Sequence, residues 1–145
     1  MKIEIAKIVQ RLDLSAYAPE YGDKALMVWV NPSRRILDER MEQARRGQAL
    51  RAELDELRKN IDKNPIDATR ERARVILVEL GQIGTASLVW MAEILSQGPE
   101  ETHVSTEDLT AFVAECDDLD PKFYPWISTR IWEMIGDYRT AKKKA

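Results

Sequence analysis

The chain has 145 residues, of which 32% are charged, and its formal net charge is −3. This length fits one domain whose core needs no disulfide or metal, and the single cysteine, Cys116, excludes an internal disulfide. Acids and bases are mixed along the chain, so we expect no nucleic-acid binding. Charges interrupt the apolar run Met1–Lys7, which therefore has no signal-peptide core. We expect one cytoplasmic domain over residues 1–145.

The first 32 residues have strand and turn character. Leu12-Asp13-Leu14 alternates between apolar and polar residues, and Ala25–Val30 is rich in β-branched and large side chains. Asn31-Pro32 ends the second segment, because proline has no N–H to donate to a strand ladder. Residues 1–32 therefore predict a small antiparallel hairpin or meander.

A long helix is predicted from Ser33, a suitable N-cap, to about Asn60. Its apolar spacing changes phase near Gly47, which costs about 1 kcal/mol in a helix interior, so we expect a bend or a break there. Beyond Gly47 the apolar residues form a narrow seam: Leu50, Leu54, Leu57 and Ile61. Such a seam is typical of packing against one helix, either the next helix of the chain or a second copy in a homo-oligomer.

The next predicted helix runs from about Ile66 or Asp67 to Gln97 and is apolar nearly all round between Val75 and Leu95. Such a helix is usually central to its fold, so we expect buried positions at Leu80, Ile83 and Trp90. The glycines in this helix suggest that another helix approaches closely, or that the helix bends: Gly81 and Gly84. We expect no membrane span, because polar residues interrupt the apolar surface: Glu79, Gln82 and Glu93.

Two further helices complete the predicted fold. Ser105, with Asp108 three residues on, marks the N-cap of a helix that ends near Pro121. An aromatic turn over residues 122–125 then precedes a last helix from about Trp126 to Ala141, and residues 142–145 form a basic tail. The expected fold class is mostly α. The helices, which include a long apolar central helix, occupy residues 33–141, and a small N-terminal antiparallel β element occupies residues 1–32.

Few residues carry catalytic or metal-binding chemistry. His103, the only histidine, has no partner at a spacing typical of general base catalysis. Cys116 lies on an apolar helix stripe and is interpreted as a small buried hydrophobe. An acidic cluster lacks the glycine and distal glutamate of a calcium loop: Glu115, Asp117, Asp118 and Asp120. We therefore expect no catalytic residue, no cofactor and no metal.

Aromatic residues and arginine crowd the C-terminal part of the chain: Phe123, Tyr124, Trp126, Arg130 and Trp132. Aromatic residues with a nearby arginine are typical of protein-binding hot spots. Packing in the core is the alternative role for the same side chains. Both interpretations are consistent with the sequence.

Segments at both ends of the chain resemble small proteins from the tail-morphogenesis regions of siphovirus-like phages and prophages. The resemblance lies in Leu12–Tyr17 followed by Val28–Pro32, and in Asp120-Pro121 before the aromatic residues and Trp132. These proteins are tail assembly chaperones. They bind the tape measure protein and keep it soluble before the tail tube polymerises.

The resemblance implies a non-enzymatic chaperone in the bacterial host cytoplasm whose partner is a tape-measure-like protein. It also implies that a longer form can arise by ribosomal frameshifting near the lysines at residues 142–144. Three alternatives remain. They are an adaptor retained in the virion, a generic helical protein-interaction module and an enzyme with an unrecognised site.

Overall fold

The computed structural model describes residues 1–61, 67–96 and 103–144, with side chains at all of these except Ile61 and residues 142–144. This part of the chain contains two strands and four α-helices, which we number β1, β2 and α1 to α4. Their bounds are Val9–Asp13, Ala25–Trp29, Arg34–Ile61, Asp67–Leu95, Thr106–Leu119 and Phe123–Lys144. The fold is mostly helical with a small N-terminal antiparallel sheet, as the sequence predicted.

The two strands form the predicted antiparallel pair, with Val9 opposite Trp29 and Asp13 opposite Ala25. Two short 3-10 turns connect them, and the second is followed by Gly22, whose φ of 60° suits glycine. One face of the sheet belongs to the core, because its aliphatic side chains are buried: Leu12, Val28 and Val30. Ile3 and Ile5 precede β1 and are exposed.

The chain divides into two compact units. The first, here called the mixed unit, consists of Met1–Ser33 and Leu88–Ala145 and contains the sheet, the end of α2, α3 and α4. The second, here called the hairpin unit, is Arg34–Ser87 and contains α1 and most of α2. The expectation of one domain over residues 1–145 stays a prediction.

The hairpin unit is an antiparallel pair of helices joined at its centre by apolar side chains. Leu50 and Leu54 of α1 are buried with Ile76 of α2, and this cluster is bordered by partly buried hydrophobic residues: Leu57, Ala73, Leu80 and Ile83. Two ion pairs cross between the helices, Arg46 with Glu79 and Arg72 with Glu53. Of the bend or break predicted at Gly47, the break is wrong, because α1 is continuous from Arg34 to Ile61, and the bend stays a prediction. Packing against α2 overrides the low helix propensity of one glycine.

The expectation that α2 is central to the fold between Val75 and Leu95 is wrong for one side of the helix in the hairpin unit, although Ile76 is buried on the other side. Trp90 and the apolar residues that follow it in α2 are buried in the mixed unit, but Leu77 and Val78 are each 51% exposed. Leu80 and Ile83 are half-buried rather than buried. The reason is geometric: α1 covers one side of α2 in the hairpin unit, and an apolar surface that continues round the helix leaves the far side uncovered.

The start predicted for α3 is correct, whereas the start predicted for α4 is wrong. The Ser105 hydroxyl accepts a hydrogen bond from the Asp108 N–H at 3.0 Å, which confirms the predicted N-cap. Residues 123–125 of the predicted aromatic turn are instead the start of α4, and Lys122 lies in the turn before it. Pro125 is compatible with helix there, because the first N–H groups of a helix have no partner within it.

Candidate protein-binding site

An aromatic cluster lies where the connection between β1 and β2 meets α3 and α4. The Phe123 ring stacks on the rings of Tyr17 and Tyr21, at centroid distances of 4.8 and 4.6 Å respectively. The Phe112 and Phe123 rings meet edge to face, with their centroids 5.9 Å apart. Trp126 packs on Tyr17 at 5.3 Å. Aromatic pairs at these distances contribute beyond the area that they bury. The cluster therefore holds the chain's N-terminal region against its last two helices within the mixed unit.

The five predicted partner-binding residues do not form one exposed patch. Phe123 is buried, and Trp132 stacks on Trp90 at 5.1 Å, apart from the Tyr17 cluster. Arg130 donates a hydrogen bond to Glu133 at 3.0 Å. Tyr124 and Trp126 are half-buried. Phe123 therefore packs in the core, which is the alternative role that the sequence left open. Partner binding by the other four residues stays a prediction.

Tyr17 and Asp120 form a polar contact at the edge of the aromatic cluster. The Tyr17 hydroxyl donates a hydrogen bond to Oδ2 of Asp120 at 2.8 Å. This bond, with burial and the negative charge of Asp120, raises the pKa of Tyr17 to about 12. Asp120 also accepts a hydrogen bond from the N–H of Lys122 at 3.3 Å. One member of the predicted acidic cluster thus has a structural role at the start of α4.

The structure also shows the environment of the other residues that were considered for catalysis or metal binding. Cys116 is a buried free thiol, as expected from its place on the apolar stripe of α3, and burial raises its pKa. His103 is exposed. Among the residues that the structure describes, no three histidine, cysteine or acidic side chains are grouped closely enough to hold a metal ion.

An apolar cavity of about 220 Å³ lies in the mixed unit. Its lining is aliphatic and aromatic apart from Asp108: Leu14, Leu26, Leu95, Val104, Leu109, Phe112, Tyr124 and Ile127. The sequence did not predict this cavity. Its walls come from five separate parts of the chain, so no local spacing brings them together.

The outward side of α2 in the hairpin unit is the main uncovered apolar surface found in the described residues. We call it the α2 outer face, and it consists of Leu77, Val78, Gly81, Gly84 and Thr85. The Thr85 hydroxyl already donates to the carbonyl of Gly81 at 3.1 Å, so it needs no further partner. Apart from the neighbouring residues and the helix's own backbone, no described heavy atom lies within 4 Å of the position that a Cβ would take at either glycine. The predicted close approach of a helix at Gly81 and Gly84 is therefore not made by the described part of this chain.

The composition of α2 is unusual for a helix with so little cover. The helix is long and apolar enough to cross a membrane, with a mean hydropathy of 1.6 over 18 residues, yet only 22% of that window is buried. A helix of this composition in a soluble core would be mostly buried. The α2 outer face is therefore the strongest candidate for a binding site.

The predicted self-association seam is covered within the chain. Leu50 and Leu54 are 1% and 5% exposed and pack on Ile76, and Leu57 lies against the same cluster. The side chain of Ile61 lies outside the described residues. Cover by the following helix, one of the two alternatives that the sequence left open, is the one observed for these three leucines.

No protein-family model, no curated protein and no solved structure matches the chain.

Proposed function

We propose that this protein is a non-enzymatic phage tail assembly chaperone that binds apolar helical segments of a tape measure protein. The observation that carries the proposal is the α2 outer face, where Leu77 and Val78 are each 51% exposed. The resemblance of the chain's two ends to tail assembly chaperones supports the choice of client.

The chemistry of the α2 outer face fits a helical client. A second helix can approach closely at Gly81 and Gly84, because neither position has a side chain, and it can place its own apolar residues beside Leu77 and Val78. Apolar burial contributes roughly 25 cal/mol per Å². The face is one side of about two and a half helical turns. Its area is therefore well below the roughly 800 Å² per partner of a stable interface. Binding is therefore weak and reversible, as a chaperone that releases its client requires.

A lipid bilayer is the main competitor for such a face. It is disfavoured because α1 lies along the other side of α2 and brings charged groups with it. Arg46 and Glu53 of α1 form ion pairs with Glu79 and Arg72 of α2. Insertion of α2 would place these charges at the bilayer, which is costly.

The test is co-expression with the tape measure protein of the same phage or prophage. We expect the wild-type chain to keep the tape measure protein in the soluble fraction. The double variant Leu77→Glu/Val78→Glu should bring that soluble fraction close to the level without chaperone, because two carboxylates replace the apolar contact. The control is Ala52→Glu, which adds a charge at an exposed position of α1 and should behave as wild type.

Circular dichroism of the purified chains checks that all three proteins have the same helix content. The proposal is overturned if Leu77→Glu/Val78→Glu protects the tape measure protein as well as the wild type does. It is also overturned if the chain is a stoichiometric component of purified virions, which is the outcome expected for an adaptor.

A further inference from the structure

The apolar cavity of the mixed unit is formed by side chains from several parts of the fold. Leu14 and Leu26 reach it from the sheet region, Leu95 from the end of α2, and Leu109 and Ile127 from α3 and α4. Four of these five are at most 8% exposed, and Leu26 is half-buried. The cavity is therefore a product of core packing rather than a depression between exposed surface residues.

The chemistry of the lining selects against polar ligands. The surface that lines the cavity is almost entirely apolar. Asp108 is the only charged residue of the lining, and it is exposed in the first turn of α3, so its charge stays in contact with water. A buried polar group is costly unless hydrogen-bond partners surround it, and this lining supplies almost none. A ligand of this cavity is therefore uncharged and apolar.

The volume of the cavity limits the size of the ligand. It is about 220 Å³. An apolar protein cavity of about 150 Å³ is large enough for benzene, whereas sites for drug-sized ligands begin at about 300 Å³. The cavity therefore suits a molecule somewhat larger than benzene. Phe112 and Tyr124 add aromatic rings to the lining, and an aromatic ligand packs favourably against such rings.

We propose that the mixed unit binds one small, uncharged aromatic molecule of about the size of an alkylbenzene in this cavity. Binding removes the apolar surface of the ligand from water and adds dispersion contacts with the surrounding side chains. The lining is brought together only in the folded chain, so the ligand binds the folded state and stabilises the mixed unit. The site is separate from the α2 outer face, and the proposal does not depend on client binding.

The test is a methyl NMR titration of the full chain with ethylbenzene. We expect the methyl signals of Leu14, Leu26 and Leu109 to shift together and to saturate with one Kd, while those of Leu50 in the hairpin unit stay unchanged. Benzoate is the matched control ligand, because it has the same ring with a carboxylate in place of the ethyl group. It should cause no saturable shift, since no cationic residue is among the described residues that line the cavity.

A cavity-filling variant tests the location of the site. Val104 is half-buried in the lining and directly precedes the N-cap of α3, so Val104→Phe enlarges one wall without changing a helical residue. We expect this variant to bind ethylbenzene about tenfold more weakly or not at all, because the added ring takes up the space of the ligand. The control Val75→Phe makes the same change in α2, at a position that is 39% exposed and outside the lining, and should bind as wild type does.

The methyl spectra also show whether both variants are folded, and if Val104→Phe is not, the wild-type titrations with ethylbenzene and benzoate decide alone. An absence of saturable shifts in the lining methyls, up to the solubility limit of ethylbenzene, contradicts the proposal. Equal binding of benzoate contradicts it too, as does a folded Val104→Phe protein with the wild-type affinity.

Discussion

At the scale of single residues, the hydrogen bond between Tyr17 and Asp120 joins parts of the chain that are 103 residues apart. The phenol donates to a carboxylate, and loss of its proton would place two negative charges in contact. The pKa of Tyr17 is therefore raised to about 12 from its usual value of 10, chiefly by the hydrogen bond and then by burial and the charge of Asp120. In the unfolded chain this tyrosine has its ordinary pKa.

This difference predicts how stability changes at high pH. A pKa that is higher in the folded state contributes stability that is fully present below pH 10 and is lost as pH rises towards 12. We expect the free energy of unfolding of the wild type to fall across this window. Tyr17→Phe should be less stable than wild type below pH 10 and should lose less as pH rises, since it has no phenol to titrate.

Denaturant unfolding of both proteins at a series of pH values measures the effect. Tyr17→Phe keeps a ring that can stack on Phe123 and Trp126, so the comparison isolates the hydroxyl. Burial also raises the pKa of Tyr21, but this residue is present in both proteins, so its contribution to the pH dependence cancels in the comparison. If the free energy of unfolding changes with pH in the same way in the two proteins, the hydrogen bond between Tyr17 and Asp120 is not the cause of the loss of stability at high pH.

At the scale of elements, the sequence was most informative where a local signal coincides with the packing. Proline, glycine and serine punctuation placed α1 and α3 within one or two residues of their observed ends. The strand pair followed from the β-rich run at Ala25 and from Pro32. These signals depend on neighbouring residues, which is why they can be read without the tertiary structure.

The wrong predictions share one physical cause, which is that tertiary packing decided the outcome. Gly47 does not interrupt α1 because Ile83 and its neighbours pack beside it. Phe123 begins α4 because its ring is buried against Tyr17 and Tyr21. An apolar surface all round α2 did not reveal that α1 covers one side only.

The sequence did not predict the α2 outer face as a binding site. The glycines of α2 pointed to a close helix approach, and the structure places Gly81 and Gly84 on an uncovered face. The aromatic residues after Pro121 pointed to a partner-binding patch, but Phe123 and Trp132 have stacking partners inside the mixed unit. Sequence spacing shows which residues share a helix face and cannot show which face the rest of the chain covers.

Gly47 provides a quantitative test of this account of α1. A Cβ at this position would lie 3.6 Å from the Arg51 side chain and 3.8 Å from Ile83, which is ordinary contact. Gly47→Ala should therefore stabilise the protein by about 0.5–1 kcal/mol, through lower backbone entropy in the unfolded chain. Gly22→Ala is the contrasting variant and should destabilise it, because φ at Gly22 is 60°. Urea unfolding measures both changes, and a less stable Gly47→Ala protein would contradict the description of this contact.

At the scale of the whole molecule, apolar burial is distributed unevenly between the two units. In the described part of the hairpin unit, four hydrophobic side chains are buried: Leu37, Leu50, Leu54 and Ile76. The mixed unit buries side chains from both strands, the end of α2, α3 and α4. Since apolar burial is the dominant stabilising contribution, the hairpin unit has the smaller reserve of stability. The α2 outer face, to which we assign client binding, lies on this unit.

Native-state hydrogen exchange should resolve this difference within one helix. Regions with little apolar burial open locally, with free energies below that of global unfolding. We therefore expect amides of α1 and of residues 67–87 to exchange through smaller opening free energies than amides of α3 and α4. Along α2, protection should rise from the part beside Ile76 to the buried stretch that begins at Trp90.

Added client helix should slow exchange in the hairpin unit most, because ligand binding stabilises the state that it binds. Equal protection at both ends of α2 would show that the hairpin unit opens only with the whole protein, and would contradict a low local stability at the α2 outer face.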